Sequence, residues 1–60
     1  MNKEQQQLIF VVFQKYGEVT IRSITLEIEE QQNKNQPNKS MIENLHVVND
    51  FMLAKQIQLT

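Results

Sequence analysis

Sixty residues, with six Lys or Arg against seven Asp or Glu, one histidine and no cysteine, make a single small domain close to neutrality. That composition excludes a disulfide framework and a thiolate metal site, and one histidine argues against structural zinc. Neither sign of charge is gathered into a block, so no strong non-specific pull toward nucleic acid or an anionic membrane is expected.

A domain of this size buries only about 60% of its unfolded-chain surface. Small domains are commonly reinforced by disulfides, a metal or a second subunit. With the first two excluded by composition, oligomerisation remains. The sequence therefore predicts a homodimer.

The first element carries the reason. Leu8-Ile9-Phe10-Val11-Val12-Phe13 is the most apolar run in the chain, set between Asn2–Gln7 and Gln14-Lys15. Asn2 fits an N-cap with Gln5 three residues on, and Gly17 fits the left-handed position that ends a helix. The reading is a helix over 3–16. Six consecutive apolar residues leave no polar face, so the run needs cover from more than its own subunit. Leu8, Ile9, Phe10, Val11, Val12 and Phe13 are therefore the candidate interface residues. The run is too short to span a bilayer. It lacks the cleavage pattern of a secretory signal, which makes the cytoplasm the expected location and the Asn38-Lys39-Ser40 sequon incidental.

The second element opens at Thr20, a candidate N-cap with Ser23 at its third position and Val19 and Ile24 placed as a hydrophobic staple. Ile21, Ile24 and Ile28 then form one apolar face of a helix over 21–32. Glu27, Glu29 and Glu30 read as a solubilising face, and Leu26 points away from the isoleucines and joins the interface candidates. The competing pattern is the alternation Ile24-Thr25-Leu26-Glu27-Ile28-Glu29. It would suit a β-hairpin turning at Tyr16-Gly17-Glu18, followed by one helix.

A polar stretch over 31–39, with Pro37 near its end, reads as a loop. Ser40 and Glu43 have the spacing of a capping box, which predicts a third helix over 41–56. Ile42, Leu45, Val48 and Met52 recur at helical spacing, with Met41, Phe51 and Leu53 widening the stripe. Met41 and Met52 read first as core filling. Ile57 and Leu59 add a last turn or a short extended tail.

Catalytic patterns are missing. There is no cysteine nucleophile, one glycine cannot build a phosphate loop, and Ser23 and Ser40 are explained as helix-start residues. Glu43, His46 and Asp50 share a helical face that could hold a cation weakly, but ligands drawn from one element make a poor site. No enzyme activity, metal or cofactor is expected.

Gln6-Gln7-Leu8 through Tyr16, followed by Gly17-Glu18-Val19-Thr20-Ile21-Arg22-Ser23-Ile24, resembles the start of winged helix-turn-helix repressors. The resemblance implies a recognition helix at 40–55, the beginning of a wing strand at Ile57-Gln58-Leu59, and DNA contacts from Arg22, Lys39, Asn44 and Lys55. The chain departs from that pattern in its long connection over 31–39, in having only the start of a wing, and in Glu43 and Asp50 on an arginine-free third helix. Acidic groups at a groove face oppose the cation–phosphate contacts on which DNA affinity rests. The favoured reading is thus an all-α protein of three short helices, a homodimeric interaction or regulatory module with an unknown protein partner. A helix-turn-helix DNA-binding regulator is the alternative.

Overall fold

A computed structural model describes residues 1–59, with side chains described through Lys55. It contains three helices, α1 (Lys3–Tyr16), α2 (Ile21–Gln32) and α3 (Lys39–Leu59), and no strand among the described residues. The hairpin alternative is thereby overturned. Local end signals explain why the helical pattern prevails over the alternating one. Asn2 Oδ1 accepts from the Gln5 amide at 2.8 Å while Gln5 Oε1 accepts from the Asn2 amide at 3.2 Å. The same reciprocal box forms between Thr20 and Ser23, at 3.1 and 2.8 Å. Each box satisfies amides that the first helical turn leaves without partners. Gly17 ends α1 at φ 74°, with its amide donating to the Phe13 carbonyl at 2.8 Å. Glycine enters that left-handed region without the penalty a Cβ brings.

The third helix starts earlier than the capping pattern predicts. Its cap is Asn38, whose Oδ1 accepts from the Met41 amide at 3.1 Å and whose carbonyl accepts from the Ile42 amide at 3.0 Å. Ser40 and Glu43 instead lie inside the helix. Asparagine is at least as good a cap as serine, and Pro37 just before it disfavours helical geometry further upstream. The connection between α2 and α3 is accordingly shorter than the 31–39 loop. At the other end, α3 continues to Leu59, so Ile57-Gln58-Leu59 is helical and begins no wing strand.

The core consists of Leu8 and Val12 from α1, Ile24 and Ile28 from α2, and Leu45 and Val48 from α3. Ile9, Tyr16, Val19, Met41, Ile42 and Met52 pack around it. One side of the apolar run thus meets the isoleucines of α2 and the α3 stripe, as the spacing predicts, and both methionines serve as core filling. Phe51 and Leu53 do not widen the stripe, because both are exposed. They lie about 100° of helical turn to either side of Met52, away from the bundle axis.

Glu27 reverses its expected role. It is 1% exposed, and Gln31 and Ser23 are buried with it. Ile24, Glu27, Ile28 and Gln31 fall at i, i+3, i+4 and i+7, so polar side chains share the buried face of α2 with the isoleucines.

The two candidate caps of α3 can be told apart by stability. Asn38→Ala should lower the unfolding free energy by about 1 kcal/mol, whereas Ser40→Ala should stay within roughly 0.5 kcal/mol of wild type. Urea unfolding followed by circular dichroism measures both, and the opposite order would return the cap to Ser40.

Candidate functional site

The interface candidates of α1 divide among three environments. Leu8 and Val12 are committed to the subunit core, and Ile9 is half-buried against it. Val11 lines a shallow depression of about 280 Å³ between α1 and the start of α3, with Leu8, Met41, Glu4 and Asn44. Phe10 and Phe13 point outward, at 64% and 57% exposure. Leu26 is exposed on α2, beside Tyr16, Glu18 and Arg22 in a second depression of about 190 Å³.

Phe10 and Phe13 belong to a regular stripe. Lys3, Gln6, Phe10, Phe13 and Gly17 follow one another at alternating three- and four-residue steps, the spacing of a helix-pairing seam, and all five are exposed. Between Glu4 and Lys15 no side chain of α1 is ionisable. The seam's centre is therefore aromatic and its flanks are glutamine. Depletion of charge with enrichment of aromatics is the compositional mark of an interface core.

Two polar clusters fix α1 so that this stripe faces outward. At its C-terminal end, Lys15 Nζ donates to Glu27 Oε1 at 2.8 Å and also pairs with Glu30. Tyr16 Oη donates to Glu27 Oε1 at 3.1 Å, and Gln31 Nε2 donates to Glu27 Oε2 at 2.9 Å. Both carboxylate oxygens of the buried group are thereby satisfied. At the N-terminal end, Gln5 Nε2 donates to Asn44 Oδ1 at 3.1 Å. Asn44 Nδ2 in turn donates to Glu4 Oε2 and to the Ser40 carbonyl, both at 2.9 Å.

Burial pushes the Glu27 carboxyl up, but the hydrogen bonds from Lys15, Gln31 and Tyr16 outweigh it and hold the group below its usual value. The Lys15 ammonium is raised, chiefly by its bonds to Glu27 and Glu30. The Tyr16 hydroxyl is raised by burial and then by its bond to Glu27. Sequence reasoning missed this cluster by treating Glu27 as surface. The signal was its position one turn before Gln31 on the isoleucine face.

The residues implied by the repressor resemblance are dispersed. Arg22 is on the first turn of α2, while Lys39 and Lys55 are about 24 Å apart along α3 and on nearly opposite sides of it. Asn44 spends its side-chain oxygen and both amide hydrogens on α1 and on its own helix. Glu43, His46 and Asp50 share the exposed side of α3, but among the described residues no three histidine or acidic side chains are grouped to hold a metal ion. No described helix is long and apolar enough to cross a membrane. Compared with known protein families, curated proteins and solved structures, the chain matches none.

The Glu27 cluster predicts a pH dependence on both sides of neutrality. A depressed carboxyl contributes stability that is present above the unfolded-state value near 4.5. That contribution is lost as pH falls through the lower folded-state value. The raised lysine and tyrosine contribute stability that is present below 10.5 and 10.0 respectively. Theirs is lost as pH rises through the folded values. Glu27→Gln should flatten the acid limb and lower stability near neutral pH by about 1–3 kcal/mol. Thermal melts between pH 2 and 7 on both proteins check this, and an unchanged acid limb would remove Glu27 as its cause.

Proposed function

We propose that this protein is a non-enzymatic protein–protein interaction or regulatory module that works as a helical homodimer through the outer face of α1. The observation that carries the reading is the exposure of Phe10 and Phe13 on a helix face free of charge from Gln5 to Gln14. Phe10 and Phe13, 64% and 57% exposed within one turn, forgo part of the roughly 1.5–3 kcal/mol that full burial of each such side chain is worth. Covering them returns it, and buried aromatics are the usual anchors of protein interfaces.

Size sets the strength expected. A standard interface buries roughly 800 Å² per partner, about a sixth of this chain's 4593 Å² surface. α1 is about 21 Å long and, with side chains, about 10–12 Å across, so its outer face alone falls short of that standard. The dimer should accordingly be of modest affinity and dissociate on dilution. Val11 and Leu26, exposed beside their own depressions, extend the surface available to a further protein partner.

Sedimentation equilibrium across roughly 1 μM to 1 mM tests the proposal by spanning the affinities of weak complexes. Wild type should move from monomer to dimer within that range. Phe10→Glu should remain monomeric with an unchanged circular dichroism spectrum, because position 10 takes no part in the subunit core. A wild-type monomer at the highest concentration, with Phe10→Glu indistinguishable from it, would refute the homodimer.

A further inference from the structure

Resting on the homodimer reading of α1, we infer that the second copy lies antiparallel to the first, with Phe10 beside Phe13 of the partner subunit and Lys3 beside Glu18 of the partner subunit. The seam itself carries the register. Lys3 begins it and Gly17 ends it; Glu18 follows just beyond the helix, exposed like Lys3, with its carboxylate Oε2 accepting from the Thr20 hydroxyl at 2.8 Å. The midpoint between Phe10 and Phe13 falls between Val11 and Val12. The midpoint between Lys3 and Glu18 falls between Phe10 and Val11. A single two-fold axis near Val11 therefore brings the aromatics together and sets opposite charges against each other at both ends.

The alternatives are worse electrostatically. A two-fold axis running along the helices would place Lys3 against its own copy and Glu18 against its own copy. It would also align the two helix dipoles side by side. The antiparallel arrangement instead sets the positive N-terminal end of α1, with Lys3, against the negative C-terminal end of the partner's α1, with Glu18. Between these ends the face meets itself without like-charge repulsion, because it holds no ionisable group. Gln6, Gln7 and Gln14 suit self-pairing as well, since each amide both donates and accepts. A face built for an unlike partner has no need of this match between its two ends.

Charge reversal tests the register separately from the dimer. Lys3→Glu alone places two acidic residues at each end of the interface, and Glu18→Lys alone places two basic ones. Each should weaken self-association roughly three- to tenfold, the scale of two exposed ion pairs converted to like-charge contacts. An equimolar mixture of the two single variants restores an opposite pair at both ends and should associate about as tightly as wild type. So should the chain carrying both reversals. Sedimentation equilibrium at low and high salt reads all of these, and the differences should shrink as salt rises. A dimer whose affinity ignores the single reversals, or whose mixture stays as weak as its components, would overturn the antiparallel register and leave the homodimer standing. A wild-type monomer would overturn both.

Discussion

The structure depends on how a helix that is nearly all apolar is held with one side in and one side out. α1 gives only Leu8 and Val12 fully to the core, and its packing against α2 is the sparsest of the three helix pairs. Hydrophobic contact has no direction, and a run such as Leu8 to Phe13 could roll about its axis at little cost. The polar bonds at each end remove that freedom. Lys15 and Tyr16 reach the Glu27 carboxylate at one end, and Gln5 and Glu4 reach Asn44 at the other. A rolled helix would leave a buried carboxylate and its partners unpaired, which costs far more than rearranging apolar side chains.

The core is consequently mixed in chemistry. Six apolar side chains are buried, and Gln5, Ser23, Glu27 and Gln31 are buried beside them. Each of these four has hydrogen-bond partners within the chain: Gln5 and Glu27 connect helices, while Ser23 and Gln31 bond within α2 and its cap, so none is left as a penalty. Such an arrangement favours a unique packing over maximal stability, and it couples the fold to pH through one carboxylate. It also explains why the outer face of α1 can be left uncovered in the subunit. The orientation that satisfies Glu27 and Asn44 is the one that turns Phe10 and Phe13 to solvent.

The sequence alone determined the three helices, because capping and periodicity are local. Asn2 with Gln5, Thr20 with Ser23, and Gly17 each act within four residues, and they overrode the strand-like alternation in α2. The apolar spacing likewise identified Ile24, Ile28, Leu45 and Val48 as faces that meet, whereas the unbroken run Leu8 to Phe13 carried no signal of which side of α1 would join them. At the start of α3 the Ser40–Glu43 spacing pointed two residues too late, because Asn38 after Pro37 takes the cap. Spacing alone does not exclude the earlier cap, since either residue satisfies the same class of amides.

Only the tertiary structure decided which side of α1 faces out and which acidic residue of α2 turns in. Glu27 and Glu30 differ by less than one helical turn, yet one is buried and the other exposed. Lys15 pairs with both, so the difference lies in how far the packed face of α2 extends: it spreads from Ile24 and Ile28 to Glu27 and stops short of Glu30. The same holds for Asn44, a groove-contact candidate by analogy and an interhelical link in fact, whose partners lie about forty residues away. Periodicity places a side chain on a face. What that side chain meets is set by the rigid-body packing of helices, which no local pattern encodes.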